Sequence, residues 1–323
     1  MTATRRYLVT GAFGAIGVWT LRSLLDRGHH AVTFDVGGSR HRLPLALERE
    51  QLDAVVHVRG DVTDLDALER VLDEHQITNV IHLAALQVPF VRADPVLGAR
   101  VNVVGTVNVL EAARRRAERI GPVVYASSIA AYGAGGTLAA DDLPGTLYGV
   151  QKRDNEGTAV RYFEDYGVSS IGLRPHTVYG PARDQGVTSA PTAAMLAAVA
   201  RIAYRIPYGG SATMQYAPDA GEAFVRASEV AYEGSSVHDL DGPVASMQEV
   251  IATVEALAPE AAGLITAEEE PLPFPAEVDS TSFTELVGGP VTRPLRDGVA
   301  DALQRFERLL AAGLVAPPEP ATA

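Results

Sequence analysis

The chain has 323 residues, and its 27 basic and 40 acidic side chains give a formal net charge of −13. Nucleic acid and anionic membrane surfaces repel an acidic protein, so neither is an expected partner. The absence of cysteine excludes disulfides, thiolate metal sites and a cysteine nucleophile, and we predict no metal site. No apolar stretch reaches the roughly 18 residues of a membrane-spanning helix. With 47% hydrophobic and 21% charged residues, we expect a soluble, core-forming protein of the cytoplasm.

The first half of the chain alternates short apolar, β-branched runs with helical patterns. Strands are predicted at Tyr7–Thr10, Ala31–Phe34, Val55–Val58, Asn79–Leu83, Val123–Ser127 and Ser170–Leu173. Helices are predicted at Ile16–Arg27, Leu65–His75, Pro95–Arg119 and Tyr148–Tyr166. Apolar strands separated by helices indicate a parallel sheet covered on both faces. Right-handed crossovers then give a doubly wound α/β fold of the Rossmann type.

Beyond Arg174 glycine and proline become frequent and the alternation is irregular. Helices are predicted there at Thr192–Ala203, Ala220–Tyr232, Ser246–Leu257 and Leu295–Ala312, and the run PLPFP predicts an extended connection at Pro271–Pro275. We therefore divide the chain into a Rossmann domain over residues 1–175, a smaller, irregular α/β cap over residues 176–315, and a flexible tail over residues 316–323. Some segments of the cap are expected to return to the first domain.

The motif TGAFGAIG at Thr10–Gly17 follows the first predicted strand and opens the first helix. In a dinucleotide-binding loop, the first glycine permits the tight turn, the second lets the backbone approach a pyrophosphate, and the third allows close helix–strand packing. The free N–H groups of the helix N-terminus then face the phosphates. Three glycines alone fit an ordinary turn, but the strand–turn–helix context favours a cofactor loop. Its predicted contacts are Gly11, Phe13, Gly14, Ala15, Ile16 and Gly17.

Carboxylates follow the next two strands. Asp35 ends the second strand, where a carboxylate accepts hydrogen bonds from the adenosine ribose and repels a 2′-phosphate. This favours NAD over NADP, although Arg40 and Arg42 lie close enough in sequence to accommodate a phosphate. In GDVTD, Asp61 and Val62 follow the third strand, and we place them in the cofactor site beside the adenine.

Tyr148 and Lys152 are four residues apart in a predicted helix and therefore share one face. The ordinary tyrosine pKa of about 10 is too high for a base at neutral pH. A neighbouring ammonium favours the phenolate and lowers that pKa. Upstream, Ser127 and Ser128 stand at the end of a predicted parallel strand, which is where ligands bind in this fold class. Together these side chains form a candidate acid–base site.

Further motifs are HLAA at His82–Ala85, SSIAAYG, YGVQK and LRPHTVYGP at Leu173–Pro181. With the glycine loop, Asp35 and GDVTD, they resemble in type and order the extended short-chain dehydrogenase/reductase family. Within it they resemble the NAD-dependent epimerase/dehydratase branch, which includes sugar-nucleotide 4-epimerases. The resemblance covers about residues 7–181 and implies NAD as cofactor and hydride transfer at a secondary alcohol or ketone. It also implies a homodimer formed through the helices at Pro95–Arg119 and Tyr148–Tyr166.

The resemblance assigns roles residue by residue. It implies that Tyr148 is the general acid/base, that Lys152 lowers its pKa and binds the nicotinamide ribose, and that Ser128 orients the reacting substrate oxygen. Further cofactor contacts are predicted for Leu83, Ala84, Ala85, Asn102, Ser127, Pro175 and His176. His82 is expected to be structural.

Three departures from the family's motifs bear on the reaction. Dehydratases of the branch place Asp-Glu after the active-site hydroxyl, whereas here Ile129 and Ala130 follow it, which disfavours dehydration. Where sugar-nucleotide enzymes hold the diphosphate with an asparagine and an arginine, this chain has Thr177 and, by a loose alignment, Ala212. Either Arg183 or Arg201 replaces them, or the substrate is a free sugar, a sugar acid or a small polyol.

The polar segment Gly180–Thr192 lies where the cap meets the first domain. Substrate contacts are predicted for Gln87, Ser128, Thr177, Arg183, Gln185, Thr188 and Ser189. The favoured function is an NAD-dependent epimerase of a carbohydrate, and the first alternative is an NAD-dependent dehydrogenase of a sugar, sugar acid or polyol. A non-catalytic NAD sensor is the third hypothesis, but such a sensor has no need for an acid–base set.

Overall fold

A seven-stranded parallel sheet forms the centre of the computed structural model, which describes residues 5–319. The strands of the chain are β1 Arg6–Thr10, β2 His30–Asp35, β3 Val56–Arg59, β4 Asn79–His82, β5 Val123–Ala126, β6 Ser170–Arg174, β7 Thr177–Tyr179, β8 Tyr204–Ile206, β9 Ser211–Tyr216, β10 Ser235–Asp239, β11 Val244–Ser246 and β12 Ile265–Ala267. The large sheet has the order β10-β6-β5-β4-β1-β2-β3, and every neighbouring pair is parallel. The predicted doubly wound α/β fold is confirmed.

Helices cover both faces of this sheet, and others pack in the cap. They are α1 Ala15–Asp26, α2 Leu43–Ala46, α3 Arg49–Ala54, α4 Leu65–Glu74, α5 Val88–Ala93, α6 Pro95–Ala99, α7 Gly105–Arg114, α8 Leu147–Tyr166, α9 Ala190–Ala200, α10 Ala217–Glu229, α11 Met247–Leu257, α12 Thr281–Val287 and α13 Leu295–Ala311, with short 3₁₀ turns at Ile129–Ala131, Val187–Ser189 and Pro259–Ala261. The two faces of the sheet pack into separate hydrophobic cores. In β1, Tyr7 and Val9 pack on the side of α1, and Leu8 packs on the side of α4 and α7. Such strands are apolar throughout because both of their faces are buried.

A π turn at Arg100–Val104 joins α6 to α7, so that Pro95–Arg114 is one continuous helix. It ends five residues before the predicted Arg119, and the turns that follow direct Arg116 and Arg119 to the Asp73 carboxylate of α4. Among residues 5–319 this is the one helix long and apolar enough to cross a membrane, although its sequence contains no uninterrupted apolar run of that length. In its most apolar window 44% of the residues are buried, and α7 packs against α4 and α8.

Residues after Arg174 contribute to two structures. The segment that holds α10 and β10 covers and extends the large sheet, and α10 packs along α1. The other strands form a three-stranded sheet, β11-β9-β7, and a two-stranded sheet, β12-β8, in the cap. The sequence did not predict these strands because most have only three residues, too few for a recognisable alternation. Of the predicted tail, residues 316–319 lack regular secondary structure and 320–323 lie outside the described residues.

Candidate functional site

A cavity of about 680 Å³ lies along the carboxyl ends of the strands of the large sheet. Because these ends meet at one edge of a parallel sheet, the loops after six of the strands contribute to its wall. The cap closes the cavity with Arg183, residues 185–188 and residues 272–274. One continuous space therefore connects the glycine loop with the cap.

Most of the predicted site residues line this cavity. Those predicted for the cofactor are Gly11, Phe13, Gly14, Ala15, Ile16, Gly17, Asp35, Asp61, Val62, Leu83, Ala84, Ala85, Ser127, Tyr148, Lys152, Pro175 and His176. Those predicted for the substrate are Gln87, Ser128, Arg183, Gln185 and Thr188. Their individual roles remain predictions.

Three predicted contacts do not reach the cavity. Asn102 lies beneath it in the π turn, where its amide accepts from the N–H of Leu86 at 2.7 Å and donates to the Leu86 carbonyl at 2.9 Å. Thr177 is 0% exposed in β7, with its hydroxyl 3.1 Å from the ring of His176. The hydroxyl of Ser189 donates to the Gly186 carbonyl at 2.8 Å and closes its own turn. Asn102 thus positions the loop after β4, and the hydroxyls of Thr177 and Ser189 contact groups of the protein itself.

The glycine loop has the geometry of a dinucleotide cradle. Gly11 has φ +64°, and a Cβ there would lie 2.5 Å from the backbone nitrogen of Ala84. A Cβ on Gly17 would lie 2.6 Å from the Gly11 carbonyl oxygen, so that only glycine lets α1 start this close to β1. Gly14 is the N-cap of α1, whose first N–H groups have no partner within the helix. The loop therefore fits a pyrophosphate.

Asp35 ends β2 beside this loop, as the ribose-binding role requires. Its carboxylate accepts hydrogen bonds from the N–H groups of Phe13, Val36 and Gly37, while burial raises the pKa of Asp35. Arg40 stacks on the Phe13 ring at 5.3 Å, and Arg42 donates to the Phe13 carbonyl at 3.1 Å. Both arginines thus contact Phe13. The Asp35 carboxylate therefore remains the group that favours NAD over NADP.

The candidate acid–base residues lie on one face of α8. The helix begins where the hydroxyl of Thr146 accepts from the N–H of Gly149 at 3.0 Å, and a methyl group on Gly149 would overlap the carbonyl of Ala130. This close approach brings Tyr148 to Ser128, with which it shares a hydrogen bond. Lys152 is 3% exposed and donates to the carbonyl of Ala126 at 2.6 Å.

Burial and neighbouring charges shift the pKa values of Tyr148 and Lys152 in opposite directions. Burial raises the pKa of Tyr148, and the Ser128 hydrogen bond and the Arg183 charge lower it. Burial lowers the pKa of Lys152 to about 8, although the Glu156 carboxylate raises it. The ammonium of Lys152 lies 5.7 Å from the Tyr148 ring centroid. Arg183 from the cap thus favours the phenolate, but burial outweighs it and holds the pKa of Tyr148 above its usual value.

A buried ion pair missed by the sequence interpretation lies beneath these residues. Glu156, one turn after Lys152 on α8, accepts from Ser127 and from Arg174 Nε and Nη2 at 2.7 and 2.8 Å. Arg174 also approaches Asp239 at 3.4 Å. The i+4 spacing indicates that Glu156 lies on the same helix face as Lys152 and therefore near the site. Nothing in the sequence places Arg174 beside Glu156.

The cap supplies a cation to the substrate end of the cavity. Arg183 Nη2 donates to the hydroxyl of Thr188 at 2.9 Å, and its buried Nε has no partner within residues 5–319. Gly186, with φ +93°, lies against the side chains of Gln87 and Arg183, so these two predicted substrate residues lie close together. No carboxylate within the described chain lies within 4 Å of Arg183.

The segment Pro271–Pro275, predicted only as a connection, contributes Leu272, Pro273 and Phe274 to the wall. His176 fixes it, because its Nε2 lies 2.6 Å from the Pro275 carbonyl. Other lining residues that the sequence interpretation did not assign to the site include Gly38, Ser39, His41, Arg42, Arg92 and Thr146.

Comparison with known proteins agrees with this geometry. The UDP-glucose 4-epimerase of Mycolicibacterium smegmatis is 32% identical over 93% of this chain and 98% of its own. UDP-glucuronate 4-epimerase 2 of Arabidopsis thaliana is 33% identical, but this match covers 54% of the chain and only 42% of the relative. The chain thus spans less than half the length of these plant relatives.

Solved structures match over nearly the whole chain. L-threonine dehydrogenase from Clostridium difficile has a TM-score of 0.82 at 20% identity, over 94% of this chain and 98% of its own. UDP-glucose 4-epimerase from Thermus thermophilus, solved in complex with NAD, has a TM-score of 0.76 at 25% identity, over 93% and 98%. A family model, described as the NAD dependent epimerase/dehydratase family, matches residues 7–239. The chain belongs to the NAD-dependent epimerase/dehydratase family.

Proposed function

We propose that the protein is an epimerase that oxidises a secondary hydroxyl of a carbohydrate to a ketone and returns the hydrogen to the opposite face. The observation that carries this proposal is the continuous cavity in which Ser128, Tyr148 and Lys152 lie between the glycine loop and Arg183. The glycine loop, Asp35 and the loop after β4 would hold NAD, which when bound supplies the reversible hydride acceptor.

The side chains account for the proton. Ser128 holds the substrate oxygen beside Tyr148, whose phenolate removes the hydroxyl proton and returns it when the ketone is reduced. The Arg183 charge favours that phenolate. Lys152, whose ammonium lies 5.7 Å from the ring centroid, would add to this once the substrate is bound. In an epimerase the ketone turns inside the cavity before reduction, and the cap keeps it there.

An NAD-dependent dehydrogenase of a sugar, sugar acid or small polyol is the second candidate. It is favoured by the two positions at which sugar-nucleotide enzymes hold the diphosphate: Thr177 and Ala212 are 0% and 1% exposed and do not line the cavity. Arg183 is then the main cation for the substrate, which suits a small anionic molecule without a nucleotide.

One experiment separates the candidates. The protein is purified without added cofactor and denatured, and the released dinucleotide is identified by mass spectrometry. Near-stoichiometric NAD, with interconversion of sugar or UDP-sugar epimers and no net NADH, supports the epimerase. An empty protein that forms NADH with sugar acids or polyols supports the dehydrogenase, and release of NADP would contradict the role of Asp35.

We also propose that the protein acts as a homodimer in the cytoplasm. Exposed apolar side chains concentrate on Pro95–Arg114 and α8, with Val96 at 65%, Leu97 at 46% and Leu147 at 49% exposure. Pairing these helices with a second copy would bury them. Light scattering should give twice the 34.1 kDa of one chain, and Val96→Glu should shift the mass toward the monomer. A wild-type monomer at micromolar concentration would contradict the dimer.

A further inference from the structure

A carboxylate, a guanidinium and an imidazole meet across the mouth of the cavity. Asp184, in the cap loop after β7, accepts a hydrogen bond from His41 Nε2 at 2.7 Å and from Arg42 Nε at 2.8 Å. Arg42 Nη2 lies 2.6 Å from the same oxygen, Oδ1, while His41 takes the other oxygen, Oδ2. His41 and Arg42 belong to the loop after β2, on the Rossmann side of the cavity. Asp184, His41 and Arg42 are termed the clasp.

The clasp is connected to the cofactor loop. Arg42 Nη1 donates to the carbonyl of Phe13 at 3.1 Å, and the N–H of Phe13 donates to Asp35. The start of the same cap loop is fixed as well, because Trp19 Nε1 in α1 donates to the carbonyl of Pro181 at 2.9 Å. The cap loop is thus tied to both the helix and the ribose side of the predicted dinucleotide site.

We propose that the clasp retains bound NAD, and that Asp184 is the positioning residue that holds the cap loop over the adenosine half of the site. Opening the mouth requires Asp184 to release His41 and Arg42 together. A single exposed ion pair contributes little, but here one carboxylate takes three contacts, and the Arg42 side chain is only 13% exposed. The inference rests on NAD binding by the proposed enzyme and is independent of its substrate.

The test measures cofactor release directly. Trp19 is the single tryptophan of the chain and lies at the base of the cap loop, so energy transfer from Trp19 to bound NADH reports occupancy. The protein is loaded with NADH and mixed in a stopped-flow instrument with excess NAD. We expect Asp184→Asn to release NADH roughly three- to tenfold faster than wild type, since it loses the charge and keeps the shape. Wild-type release should accelerate with salt more than that of Asp184→Asn, because salt screens exposed charges.

A matched control is available at Asp73, another exposed carboxylate that binds two cationic side chains, Arg116 and Arg119, at 2.6 Å each. Its two partners do not line the cavity, whereas both partners of Asp184 do, so Asp73→Asn should leave the release rate unchanged. His41→Gln, which removes one clasp contact, should give an intermediate rate. Release from Asp184→Asn within twofold of wild type, or equal acceleration by Asp73→Asn, would overturn the proposal, as would failure to bind NADH at all. Clasp-dependent release without turnover of any carbohydrate would overturn the proposed function and leave the clasp intact.

Discussion

The two halves of the cavity are built in different ways. The dinucleotide half is mainly backbone: the glycine loop, the N-terminus of α1 and the strand ends provide N–H groups at fixed positions. The substrate half depends on side chains from cap loops, with Arg183, Gln185 and Phe274 in its wall. A backbone cradle suits a group that many enzymes share, whereas loop side chains select an individual substrate. The first half is therefore recognisable by motif and the second is not.

The largest expected effect tests the chemistry at the boundary of the two halves. Tyr148→Phe should lower kcat by about 10²–10⁴-fold, the usual contribution of a general acid/base. The variant should keep wild-type NAD binding, measured by calorimetry. Tyr162→Phe on the same helix is the matched control and should retain activity. Full activity of Tyr148→Phe would exclude the proposed mechanism.

Arg183→Gln separates the substrate half from the chemistry. A lost hydrogen bond to a charged group costs roughly 1.5–3 kcal/mol, so KM should rise by about ten- to a hundredfold. Arg205→Gln, which removes an exposed arginine paired with Glu268, should leave KM unchanged. A fall in kcat alone would instead assign Arg183 to the acid–base set, through its charge on Tyr148.

Gly17→Ala tests the rigidity of the dinucleotide half. The new methyl group would lie 2.6 Å from the Gly11 carbonyl oxygen, and we expect a loss of about 1–3 kcal/mol in the free energy of unfolding, with weaker NAD binding. Gly157→Ala in α8 meets nothing within 4 Å and should stabilise the protein by up to about 1 kcal/mol. Urea unfolding measures the stability of both variants. An unchanged midpoint for Gly17→Ala would show that the loop can move to accommodate the methyl group.

The smallest effect is a pH dependence from His82, which lies under the same half between the hydroxyls of Thr10 and Thr106 at 2.7 and 3.1 Å. Burial and the Lys152 charge lower the pKa of His82 from 6.5 to about 3. Below pH 6.5 the unfolded chain therefore binds a proton that the native state does not, and stability falls. The slope approaches about 1.4 kcal/mol per pH unit.

We expect His82→Gln to flatten this acid limb between pH 6.5 and 5.5, measured by urea unfolding at a series of pH values. His30→Gln, at an exposed site on β2, should keep the wild-type slope. Equal slopes for His82→Gln and wild type would mean that His82 takes up its proton in the folded state.

The sequence predicts the dinucleotide half of the cavity better than the substrate half. Local patterns predict the parallel sheet, the glycine loop and the Tyr148–Lys152 spacing, because each depends on a few adjacent residues. Contacts between distant segments escape such patterns: Arg42 meets Asp184 across 142 positions, and Phe274 joins the wall from a connecting segment. Thr177 does not line the cavity although its neighbour Val178 does, because only one of two successive strand side chains faces a given side.

The π turn at Arg100–Val104 sets which side chains of its helix point into the protein and which point to solvent. Its Asn102 holds the loop after β4, while Val96 and Val104 on the same helix face solvent. Removing one residue from the turn would rotate the helix beyond it by about 100°. The apolar surface and the cofactor loop would then lose their alignment together. A one-residue deletion is tolerated in most surface loops. At this position it would disturb both the exposed apolar surface and the cofactor loop.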